Sequence, residues 1–72
     1  METKVYCFAI NYCERMAQEE EHMSKIARMI HNDAASAKRH EEMAQLYRNE
    51  RADIIDKMMR ETGTSFEIAM CE

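Results

Sequence analysis

A chain of 72 residues with a net charge of −4 forms one domain at most. Its own core contributes about 3–5 kcal/mol, so a disulfide, a metal or a partner chain is expected to supplement it. The mild acidity, with an isoelectric point near 5.3, leaves no basic field for phosphates and argues against direct nucleic-acid contact. With Gly63 the single glycine and no proline, with helix formers dominating and no alternating β-branched run, strands are excluded and the fold class is all-α.

In chain order, the first apolar run is Val5 to Cys13. It is too short to span a bilayer. Glu2 precedes it, Glu14 and Arg15 follow it, and no small-residue cleavage pattern is present. The expectation is therefore no membrane span, a cytoplasmic location, and reduced thiols at Cys7, Cys13 and Cys71. Cys7 and Cys13 fall on different faces of a helix and cannot bridge within it.

The same run opens a predicted helix over about 3–31. Val5, Ala9, Tyr12, Met16, Met23, Ile26 and Ile30 recur at spacings of 4-3-4-7-3-4, and inserting Glu19 makes the alternation unbroken. This is a helical stripe with coiled-coil character. It is expected to face inward, widened by Phe8 and Ala27. A second strip of Tyr6, Ile10, Cys13 and Ala17 lies about 100° away. One neighbouring helix cannot cover both, so the second strip is expected to meet a partner.

A turn is predicted at 32–34. Asn32 suits a left-handed helix end and Asp33 an N-cap, while Lys25, Arg28 and His31 suit the negative end of the preceding helix. A second helix over about 34–62 then carries Ala37, His40, Ala44, Tyr47, Arg51, Ile54 and Met58 as its stripe, flanked by Met43 and Ile55. The alternative is one continuous helix, because the 4-3 register runs from Val5 to Met58 without a skip. Such a rod would be about 85 Å long and would dimerise as a coiled coil. Its seam would hold Glu19, Asp33, His40 and Arg51, which favours the antiparallel hairpin. Lys57, Arg60 and Gly63 mark the second helix's end. Thr64 with Glu67 reads as a capping box for a short third helix at about 65–71. That helix would fold Phe66, Ile68 and Met70 onto the hairpin's open end.

Glu19 and Arg51 interrupt the two predicted stripes. In a hairpin turning near residue 34 they face each other, so a structural ion pair that penalises wrong registers is expected. Glu19-x-x-His22 also resembles the Glu-x-x-His element of ferritin-like di-iron bundles. That resemblance covers only Ala17–Met23 and implies an iron or manganese site completed by Glu50. The run Glu19-Glu20-Glu21 followed by His22 reads first as a solvated helix face with a surface histidine, so no cofactor is expected and the metal site is the alternative. His31 and His40 read as structural histidines, and Lys38, Arg39, Arg48 and Arg51 as charges offset by neighbouring acids. No glycine-rich phosphate loop and no nucleophile–base pairing can be argued, so an enzyme is not expected.

The functional expectation is a small helical interaction module. Its partner-facing residues would be Tyr6, Ile10, Cys13 and Ala17, joined by Met29 and Met59, since methionine adapts to partners. The partner would be a second copy, giving a four-helix bundle, or a larger host protein whose site the hairpin blocks. Phage and mobile-element inhibitors of host or defence machinery share this size and style, an analogy that rests on no motif.

Overall fold

The structure is a computed structural model and describes residues 3–65. It contains two helices, α1 (Thr3–Met29) and α2 (Ala34–Thr62), packed antiparallel as a hairpin. The described residues form no strand. The continuous-helix alternative is overturned at residues 30–33. There Asn32 turns left-handed with φ of 50°, a conformation that asparagine tolerates better than most residues.

The turn satisfies the backbone groups that a helix end leaves open. The amide of Asp33 donates to the carbonyl of Ala27 at 2.8 Å, and that of His31 to Ile26 at 3.3 Å. Asp33 then caps α2, its carboxylate accepting from the Ser36 amide at 3.0 Å, as the sequence suggested. At the far end Gly63 adopts φ of 70°, and its amide donates to the Met59 carbonyl at 2.9 Å. The Thr62 hydroxyl donates to Met58 at 2.6 Å. The third helix predicted at 65–71, with its Glu67 capping partner, lies outside the described residues apart from Ser65.

The inward face of α2 is the predicted one. Ala37, Ala44 and Met58 are buried, with His40, Tyr47, Arg51 and Ile54 half-buried between them. On α1 the two predicted strips exchange roles. Tyr6, Ile10, Cys13, Ala17, Ser24 and Ala27 are buried against α2, whereas Val5, Tyr12, Met23 and Ile30 from the expected core are exposed. Tyr6, Ile10 and Met58 form the core cluster at the open end, packed by Cys7, Ile54 and Ile55. Toward the turn the seam narrows to Ala17, Ser24 and Ala27 opposite Ala37 and Ala44. Side chains this small permit close helix approach.

Electrostatics explain the exchange. With Tyr6, Ile10, Cys13 and Ala17 turned inward, Glu14, Glu21 and Arg28 fall together on one flank, each a residue past an inward position. There they meet Arg51, Arg48 and Glu41 of α2. Turning the other strip inward would bring Glu19 to the seam in place of Glu20, whose Oε2 lies 2.6 Å from His40 Nδ1, and would give up the partners that Glu14, Glu21 and Arg28 find on α2.

Candidate interaction surface

The inward strip of α1 runs through positions 6, 10, 13, 17, 20, 24 and 27. The residues immediately before them are Val5, Ala9, Tyr12, Met16, Glu19, Met23 and Ile26, and all lie on the flank opposite the ion pairs. The α2 positions corresponding to that side are Ser36, Arg39, Met43, Leu46, Glu50, Asp53 and Lys57. One surface groove unites Ala9 with Glu50, Asp53, Ile54 and Lys57, and so places the two series on a common side. The hairpin is thus two-sided: one flank is zipped by ion pairs, and the other is open, largely apolar along α1 and mostly charged along α2.

The ion-paired flank is closely tied. Arg28 Nη2 donates to Glu41 Oε1 at 2.8 Å, and Ser24 Oγ donates to the same oxygen at 3.1 Å. These two donors, Arg28 first, hold the Glu41 carboxyl below its ordinary range. Arg48 pairs with Glu21, and Arg51 Nε lies 3.0 Å from Glu14 Oε2. Near the turn, His40 Nδ1 sits 2.6 Å from Glu20 Oε2 across the seam. The predicted Glu19–Arg51 pair is corrected: Glu19 lies on the exposed side of α1, and Arg51 reaches Glu14 instead.

Among the described residues, the open side carries most of the exposed large apolar side chains. Phe8 is 77% exposed, Met29 81% and Ile30 72%, and Val5, Tyr12 and Met23 are about half exposed. They are not scattered. Phe8 and Tyr12 border one shallow groove with Asn11 and Arg15. Glu19, His22 and Met23 border the next with Arg15 and Gln18. His22, Lys25, Ile26, Met29 and Ile30 border a third. Successive grooves share Arg15 and His22, so the surface is continuous along α1.

The predicted partner-facing residues separate accordingly. Tyr6, Ile10, Cys13 and Ala17 are buried inside the hairpin and form its own interface, which removes them as a docking strip. Met29 is exposed within the open surface. Met59 is exposed too, but a residue past Met58 it falls on the ion-paired side. The signal missed in the sequence was the heptad spacing of Glu14, Glu21 and Arg28, matched by Glu41 and Arg48, which marks one flank of α1 as the polar one.

The metal reading finds no support in the geometry. Glu19 and His22 share a groove, whereas Glu50 lies in a different one beside Tyr6 and Lys57. Among the described residues no group of three or more His, Cys, Asp or Glu side chains could hold a metal ion. The Tyr6 hydroxyl is buried with no hydrogen-bond partner among them. The cysteines also depart from expectation. Cys13 is free and buried, but Cys7 is disulfide-bonded rather than reduced. No described helix is long and apolar enough to cross a membrane. Comparison with protein-family models, known proteins and solved structures finds no match.

Proposed function

We propose that the chain is a protein-interaction module whose working surface is the open side of α1. The observation that carries this reading is the continuous exposure of Val5, Phe8, Tyr12, Met23, Met29 and Ile30 on one side of the hairpin. Single exposed apolar residues are ordinary, but a contiguous strip of them marks a site that another surface covers. The hairpin completes its core by packing this strip against another protein chain.

The mechanism is binding rather than chemistry. Phe8, Tyr12 and Met29 supply the large contacts that dominate interface energies, and Arg15, Glu19, His22 and Lys25 supply a polar rim. Docked on a larger host protein, the module would act by occlusion, covering the site it sits on. An inhibitor of the phage or mobile-element kind would work in this way.

The test compares the wild type with a Tyr12→Glu/Met23→Glu variant, by sedimentation alone and in host extract. Both substitutions lie on exposed positions, so helicity by circular dichroism should be unchanged. The wild type should enter an assembly, with itself or with another protein, that the variant does not enter. A wild type that associates with nothing, or an association indifferent to the substitutions, would refute the reading.

A further inference from the structure

We infer that the surface is self-complementary, and that its occupant is a second copy of this chain bound antiparallel, α1 against α1, about a two-fold axis between Met16 and Glu19. This rests on the interaction-module reading and gives it a partner.

On the stripe that begins at Val5, the residues Val5, Tyr12, Glu19, Met23 and Ile30 are exposed, and Ala9, Met16 and Ile26 are partly buried. Val5, Ala9, Tyr12, Met16, Glu19, Met23, Ile26 and Ile30 are spaced 4-3-4-3-4-3-4, the same read in either direction. Two such stripes can pack antiparallel as a coiled coil, and a two-fold axis makes the contact isologous. Any regular stripe has this symmetry of spacing, so the residue types must decide. Val5 falls opposite Ile30 of the second copy, Ala9 opposite Ile26, Tyr12 opposite Met23, and Met16 opposite Glu19. Along the outward edge, Phe8 falls opposite Met29. The two most exposed large apolar side chains would therefore cover each other.

Charge selects the antiparallel direction. Glu19 is the one charged residue in the stripe. A parallel pairing would set Glu19 against Glu19 in the seam, which is repulsive, and would leave the two copies of Arg15 on opposite flanks of the contact. The antiparallel pairing sets Glu19 beside Arg15 of the second copy, twice by symmetry. Among the described residues, neither takes part in an ion pair of the hairpin itself. Both border the same surface groove, with His22 and Met23.

Burying the stripe on two copies brings four helices together, with the two α1 helices at the centre.

Sedimentation equilibrium tests the proposal with wild type, Arg15→Glu, Glu19→Arg, and the two single variants mixed. The wild type should have twice the mass of one chain. Each single variant turns both symmetric pairs repulsive and should raise the dimer dissociation constant about tenfold. The mixture should recover wild-type affinity as a heterodimer, because every pair is then attractive. Circular dichroism on the separate variants controls for helix content. A monomeric wild type at all concentrations would overturn the second-copy partner. It would leave the interaction-module reading standing if host extract still supplies a partner sensitive to Tyr12→Glu/Met23→Glu. A dimer that tolerates both single substitutions would overturn the α1–α1 arrangement.

Discussion

Arg51 on α2 holds Glu14 on α1, with Nε 3.0 Å from Oε2, and this pairing reports the inward rotation of α1. Glu14 follows Cys13, so an Arg51 that reaches it requires Cys13 to face the seam. A double-mutant cycle on Glu14→Gln and Arg51→Gln should return a coupling of about 0.2–1 kcal/mol, because both side chains are partly solvated. The matching cycle on Glu19→Gln and Arg51→Gln should return none. Urea unfolding at one fixed protein concentration reads both, and a larger coupling for Glu19 would mean that α1 is rotated the other way.

Ile10 and Ile30 make the same point through packing. Ile10 is 0% exposed in the core cluster with Tyr6 and Met58. Ile10→Ala should cost about 2–5 kcal/mol, comparable to the whole stability of a chain this small. Ile30→Ala at its exposed position should change monomer stability by no more than about 0.5 kcal/mol. The measurement belongs at concentrations low enough to keep self-association out of the unfolding equilibrium. A larger cost at Ile30 than at Ile10 would show that the stripe beginning at Val5, not the one beginning at Tyr6, is the core.

The helices, the turn and both caps of α2 were legible because they rest on local chemistry. Asn32 tolerates the left-handed region, Asp33 has a short acceptor for the Ser36 amide, and Gly63 lacks a Cβ. The inward face of α2 was legible as well, since Ala37, Ala44 and Met58 have no competing stripe. On α1 two apolar strips compete, and hydropathy favours the one that carries Val5, Tyr12, Met23 and Ile30. What decides between them is long-range: Glu14, Glu21 and Arg28 find partners on α2 only when Tyr6 and Ile10 turn inward, and Ala17, Ser24 and Ala27 fit closely against Ala37 and Ala44. Reading α1 alone cannot weigh those terms. The strip expected to meet a partner, Tyr6, Ile10, Cys13 and Ala17, is accordingly the hairpin's own seam, and Met29 is exposed.

Glu41 should make stability depend on pH in one direction. The hydrogen bond from Arg28, and then that from Ser24, hold its carboxyl below the ordinary range. A carboxyl depressed in the folded state contributes stability above the unfolded-state carboxyl range, and this contribution is lost as pH falls through the folded value. The stability difference between wild type and Glu41→Gln should therefore be present at neutral pH and vanish in acid. Because Glu41 and Arg28 are half exposed, the difference is small and should shrink further in high salt. A difference that grows on acidification would refute the assignment.

Cys13 should behave as a protected thiol. It is buried between the helices, and burial, then the negative charge of Glu50, raise its pKa, with Arg51 opposing. The thiolate is the species that reacts with alkylating reagents, so both access and ionisation slow the reaction. Iodoacetamide at slightly alkaline pH, followed by peptide mass mapping, should leave Cys13 unlabelled in the native protein and label it promptly in denaturant. Cys7 is disulfide-bonded and should stay unlabelled in both conditions until a reductant is added. The two cysteines thus report different things: Cys13 reports opening of the α1–α2 seam, and Cys7 the redox state. Prompt labelling of Cys13 in the folded chain would show that the seam opens far more readily than a face built on Tyr6, Ile10 and Ala17 allows.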